Sequence, residues 1–151
     1  MSNSTRVSKE EYYLNIAEAV AARSTCLRRK YGVVIVKNDE IVATGYNGSP
    51  RGEPNCCDTL KCVREDLAVP KGERYELCVS LHAEDNAITS AGRSRCQGAT
   101  LYIVGIDCKS GMYASPDPCM MCRRKIVNAG IVNVIGRAQS SGTVTYITCQ
   151  I

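Results

Sequence analysis

The chain has 151 residues, 44% hydrophobic and 23% charged, which fits one globular domain and excludes a disordered tail, a collagen-like repeat or a coiled coil. Its formal net charge of +4 is too small for a duplex-binding protein yet suits an anionic small molecule. No apolar run approaches the roughly 18 residues of a membrane span, and the stretch from Met1 to Arg6 has no signal-peptide core.

A cytoplasmic domain with no membrane or nucleic-acid partner is therefore expected. Phe and Trp are absent and Tyr numbers 8, a poor set for stacking single-stranded bases. The chain carries 10 cysteines and a single histidine, His82. In a reducing compartment such cysteines point to metal rather than to disulfides.

In chain order, Ser8-Lys9-Glu10-Glu11 reads as a capping box opening a helix, with Tyr13, Ile16, Ala17 and Val20 on one face. Gly32 to Val36 and Ile41 to Tyr46 form a hairpin around Lys37-Asn38-Asp39-Glu40. The cluster Arg28-Arg29-Lys30 before it reads as a solvated face. From about 48 to 80 runs a Cys-rich insertion with little periodicity, which in a compact domain needs a function or a staple. A second helix starts near His82 and stops at Gly92, followed by Arg93, which suits a phosphate or a neighbouring subunit. Thr100 to Gly105 is a strand, Cys119 to Ala129 a helix closed by Gly130, and Ile131 to Ile135 and Thr143 to Thr148 are strands. A hairpin followed by alternating helices and strands predicts a layered α/β sheet in one domain over 1–151.

The strongest chemical signal is His82-Ala83-Glu84 followed later by Pro118-Cys119-Met120-Met121-Cys122. Cys119 and Cys122 at i and i+3 share one helix face, and a helix N-terminus favours their thiolates. With His82 they offer three ligands to zinc, which leaves a fourth tetrahedral position for water. Glu84 is then the proton shuttle. Residues at i and i+2 of a regular helix point roughly 200° apart, so His82 and Glu84 share a site only at the helix start.

This H-x-E…P-C-x-x-C pattern is the signature of zinc-dependent nucleobase deaminases. Gly45-Tyr46-Asn47-Gly48-Ser49-Pro50-Arg51-Gly52, Asn55-Cys56-Cys57-Asp58 and His82-Ala83-Glu84-Asp85-Asn86-Ala87-Ile88 resemble the deoxycytidylate (dCMP) deaminase family. Gly72-Glu73-Arg74-Tyr75-Glu76-Leu77-Cys78 resembles its late-competence-type members. The resemblance implies a cytidine-deaminase-like three-layer α/β/α sandwich with a five-stranded mixed sheet. It also implies hydrolysis of dCMP to dUMP and ammonia, which supplies dUMP for thymidylate synthesis.

By the same resemblance Glu84 handles the protons, Asn47 holds the sugar, and Arg51 is a phosphate partner; as residues, Asn47 to Pro50 also read as plain turn chemistry. Some members carry a second, structural zinc, which here implicates Cys26, Cys56, Cys62 and Cys78, with Cys57 a close rival of Cys56. The family further implies dCTP as activator and dTTP as inhibitor, with Mg2+ accompanying the effector, and a homo-oligomer, most often a hexamer. Cys96, Cys108 and Cys149 read as bystanders. The competing readings are a tRNA adenosine deaminase, a dCTP-accepting deaminase and a non-catalytic zinc module.

Overall fold

The computed structural model describes residues 5–70, 72–140 and 143–149, without the side chains of 140–149. Helix α1 (Lys9–Ala21) starts as its capping box dictates, Ser8 Oγ accepting the Glu11 N–H at 3.1 Å. Its buried residues are Tyr13, Leu14, Ala17 and Ala21. Ile16 and Val20, expected on the same face, are only partly buried at the margin of that cluster.

Strands β1 (Arg29–Lys37) and β2 (Glu40–Tyr46) form the expected hairpin. Asn38 and Asp39 turn the chain at φ 53° and 61°, the left-handed pair that matches strand twist in a tight turn. Strand β1 begins at Arg29, three residues before the expected Gly32, because Arg29, Lys30 and Tyr31 pair with Asp107, Ile106 and Gly105 of β3 (Thr100–Asp107). The basic cluster Arg28-Arg29-Lys30 thereby leads into the first residues of β1 and is half-buried, not a freely solvated face.

The sheet order is β2-β1-β3-β4-β5, with β4 spanning Asn133–Ser140 and β5 Thr143–Cys149. The β3–β4 pair is parallel and the other neighbours are antiparallel. Helix α1 covers one face, packing Tyr13, Leu14 and Ala17 on Val34, Val36, Tyr102 and Val104. The other face, through Val33, Ile35, Leu101 and Ile103, packs on Ala83, Ala87, Ile126 and Ala129. Covering both faces requires the unbroken apolar run Val33 to Val36, since successive side chains point opposite ways. Helix approach is close: a Cβ on Gly32 would meet Ala17 O at 2.1 Å, and one on Gly45 would meet Ala87 N at 2.5 Å.

Between β2 and the next long helix lies the Cys-rich insertion, with short helices α2 (Cys56–Thr59) and α3 (Val63–Asp66) and a 3-10 turn at Tyr75–Leu77. Its two ends are tied by an isolated bridge, Gly48 N–H to Leu81 O at 3.1 Å and Leu81 N–H to Gly48 O at 2.7 Å. Helix α4 (Ala83–Ala91) ends at Gly92, whose φ of +78° turns the chain into the short α5 (Arg93–Cys96). Helix α6 (Met120–Ala129) ends at Gly130 in the left-handed conformation, as its sequence predicts. No helix among the described residues is long and apolar enough to cross a membrane.

Candidate metal centre and its cavity

His82 is the extended N-cap residue of α4, and Glu84 lies in the first turn. The helical constraint on i and i+2 residues is thereby relieved, because His82 does not have helical dihedrals. Cys119 occupies the same place on α6: it is the N-cap, its Sγ accepts the Cys122 N–H at 3.5 Å, and Cys122 lies in the first turn. Two helix N-termini, each with a positive dipole end, converge on one point.

There, His82 Nδ1 lies 3.5 Å from Cys119 Sγ and 3.3 Å from Cys122 Sγ. The three donor atoms fall within 4.8 Å of one another, the one such group of three among the described residues. Zn–S bonds of about 2.3 Å and Zn–N bonds of about 2.0 Å at tetrahedral angles put N and S roughly 3.5 Å apart. One borderline nitrogen and two soft sulfurs at that spacing suit zinc.

The electrostatics agree with that use. The hydrogen bond with Cys122, and after it the contact with His82, draws the Cys119 thiol far below its usual range, while the same Cys119–Cys122 bond pushes Cys122 upward. Bonding to Cys119 holds the His82 pKa above normal against its burial. Glu84 is only 5% exposed, and burial raises its carboxyl pKa. A carboxyl so placed holds and releases a proton nearer neutrality than a surface glutamate does.

The centre opens into a cavity of about 130 Å³. Tyr31, Asn47 and Asp117 line it beside His82, Glu84 and Cys119. The Asn47 side chain accepts from Ser24 Oγ and from the Tyr31 N–H at 2.8 Å, and donates to Arg29 O at 2.8 Å. It locks the start of β1 to the end of β2, with one of its two amide hydrogens engaged by Arg29 O. Arg51, expected at the phosphate, is exposed in the turn beyond and does not line the cavity.

Three arginines that sequence reasoning did not select line it instead: Arg28, Arg29 and Arg64. The first two stood in plain view as a basic run. Arg64 had no pattern to mark it, because the insertion lacks periodicity. Tyr75 was likewise missed, and its ring contacts both the Arg64 guanidinium, 4.5 Å from the centroid, and the imidazole of His82.

Cys26, Cys62 and Cys78 also line the cavity. Cys56 is buried beside it, 4.0 Å from Ser80 Oγ, with its thiol pKa raised by burial and, to a lesser degree, by Cys26, Cys78 and Cys62. The four thiols share a neighbourhood without meeting at a ligand-set spacing. Cys57 faces solvent, its Sγ against Asp58, so of the two rivals Cys56 is the one that joins the cluster. Cys96 is buried in the core and Cys108 is exposed; the side chain of Cys149 lies outside the described residues.

The family model described as the cytidine and deoxycytidylate deaminase zinc-binding region matches residues 7–137. A deoxycytidylate deaminase of Schizosaccharomyces pombe is 36% identical over 133 residues, covering 88% of this chain and 38% of that protein. One of Mycobacterium phage D29 is 37% identical over 135 residues, covering 87% and 95%. The chain thus spans less than half the length of its fungal relatives and nearly all of the phage protein. The crystal structure of dCMP deaminase from the cyanophage S-TIM5, in complex with dCMP and dUMP, superposes with a TM-score of 0.60 at 28% identity over 89% of this chain and 86% of that one.

Proposed function

Since the chain belongs to the cytidine and deoxycytidylate deaminase zinc-binding family, we propose that it hydrolyses dCMP to dUMP and ammonia. The observation that carries the reading is the buried Glu84 beside three donors spaced for zinc, at the end of a cavity walled by arginines. The relatives named deoxycytidylate deaminase support the choice of dCMP.

His82, Cys119 and Cys122 would hold the zinc. When bound, the ion is a Lewis acid beside which water ionises near neutral pH. Glu84 would take a proton from the attacking water as C4 of the base is attacked, and would deliver it to N3. The same carboxyl then takes up the second proton and passes it to the departing amino group, so ammonia leaves and the 4-oxo base remains. Burial suits Glu84 to this alternation, because a carboxyl with a raised pKa both accepts and donates. Asn47 positions the sugar through its remaining amide hydrogen, and Tyr31, fixed by its hydroxyl to Ser115 O at 2.9 Å, closes the apolar side.

A second, structural zinc on Cys26, Cys56, Cys62 and Cys78 is part of this proposal, supported by their common neighbourhood. It requires the four thiols to close up on the ion, as a metal that supplies folding energy would make them do. Regulation by dCTP and dTTP with Mg2+, assembly into a hexamer and a cytoplasmic location follow the family. The exposed Met120, Met121 and Val127 on α6 support an oligomeric interface. Ammonia release from dCMP, dCTP, CMP and deoxycytidine, with zinc counted per chain, tests the reading. Turnover is expected on dCMP; a zinc-loaded protein inert on all four, or one that instead deaminates adenosine in an anticodon stem-loop, overturns it.

A further inference from the structure

We infer that Arg64 reads the anionic group of the substrate, so that the Cys-rich insertion, not the glycine turn after β2, sets the preference for a nucleotide over a nucleoside. The ligand class, a phosphate monoester on a pyrimidine deoxynucleoside, rests on the proposed dCMP reaction; the anion requirement rests on geometry alone.

Arg64 is 7% exposed and shares the cavity with His82 and Glu84. A guanidinium withdrawn from water ordinarily meets a carboxylate, because an unpaired buried charge is costly. Among the described residues Arg64 has no such partner, whereas Arg28 pairs with Glu65 at 3.4 Å and Arg29 with Asp107 at 3.8 Å. Both hydrogen bonds of Arg64 leave from Nη2, to the carbonyl oxygens of Pro70 at 3.3 Å and Glu73 at 3.0 Å. Its buried Nε–H meets no acceptor.

Arg137 is the internal comparison. It is also buried and its Nε–H is also unmet, but its Nη atoms hold the carboxylates of Glu11 and Glu18. Its charge is answered inside the protein; that of Arg64 is not. The Arg64 guanidinium lies over the Tyr75 ring, and that ring packs T-shaped with the imidazole of His82. The unanswered cation is therefore one aromatic ring away from His82, on the wall of the same cavity. A planar guanidinium with a free Nε–H suits phosphate oxygens better than a point charge does.

The test uses the zinc-loaded protein and two product probes, dUMP and deoxyuridine, titrated calorimetrically against wild type, Arg64→Gln and Arg64→Lys. Arg64→Gln is expected to lower the ratio of dUMP to deoxyuridine affinity roughly 10- to 100-fold, the worth of a hydrogen bond to a charged group. KM for dCMP should rise by a similar factor, with kcat changing less. Arg64→Lys, which keeps the charge without the planar fork, is expected to lose part of that discrimination, and it carries the test should the glutamine variant not fold.

An unchanged ratio in either variant overturns the inference, as does an equal loss for both probes. A variant that sheds zinc while keeping the ratio makes Arg64 the counter-charge of the thiolate cluster and overturns it too. The two readings fail separately. Wild type that binds dUMP through Arg64 but releases no ammonia from dCMP sinks the reaction alone; dCMP turnover indifferent to Arg64 sinks the anion site alone.

Discussion

Tyr75 and the imidazole of His82 form a T-shaped pair, centroids 5.0 Å apart and planes at 89°. A residue of the irregular insertion thereby buttresses His82, which stands at the start of a regular helix. Such an aromatic pair is worth about 1 kcal/mol. Tyr75→Ala is expected to weaken zinc retention a few-fold, measured by competition with a chromogenic chelator, with the circular dichroism of the sheet and helices unaltered.

Glu84→Gln keeps the shape of the side chain and removes its exchangeable proton. Turnover is expected to fall by at least about two to four orders of magnitude, the range for a positioned acid–base group, while zinc per chain stays at the wild-type value. Retained turnover would leave the buried carboxyl without a task.

Cys122→Ser replaces a soft ligand that is almost fully buried at the start of α6. The catalytic metal should be lost and activity with it, and added zinc should not restore the rate. In wild type, chelation should abolish activity and excess zinc should recover it. Metal analysis alongside ammonia release checks both.

Asp39 accepts from Lys9 at 2.7 Å and from the Tyr13 hydroxyl at 2.6 Å, tying the hairpin turn to α1. Lys9 first, and Tyr13 second, hold its carboxyl below the usual range. Its folded pKa lies below its unfolded value of about 3.9, so the stabilisation is complete above that value and disappears as pH falls through the folded one. The Asp39 hydrogen bond raises the pKa of Tyr13 to about 12. That contribution is complete below about 10, the unfolded tyrosine value, and is lost as pH rises through the folded value. Urea midpoints of Asp39→Asn should therefore lose their difference from wild type on the acid side, and those of Tyr13→Phe on the alkaline side.

Arg137 joins β4 to α1 through Glu11 at 2.6 Å, Asn15 at 2.9 Å and Glu18 at 3.2 Å. Arg137→Met deletes these bonds at a buried position, at an expected cost of about 2 to 3 kcal/mol. The melting temperature should fall while zinc content stays unchanged, since the centre lies on the opposite face of the sheet.

What the sequence discloses depends on how local the physics is. The capping box at Ser8, the hairpin turn at Asn38-Asp39 and the glycine stop at Gly130 are each decided within a few residues, and each is legible. The convergence of His82, Cys119 and Cys122 is legible because their spacing is diagnostic even though α4 and α6 lie far apart in the chain. Arg64 and Tyr75 are not: their positions depend on how an aperiodic loop returns over the cavity. Arg51, expected at the phosphate, instead lies exposed outside the cavity, where turn chemistry accounts for its neighbourhood. The early start of β1 at Arg29 was hidden because pairing with β3, not side-chain pattern, sets it.

The knot between Gly48 and Leu81 has an architectural corollary. Everything that departs from the sheet at this neck returns to it at the same place, so the stretch hangs from the scaffold like an interchangeable head on a fixed handle. Grafting it, from one bridging residue to the other, onto a kindred scaffold would carry its choice of partner along, and the beam of strands beneath would register no change of length.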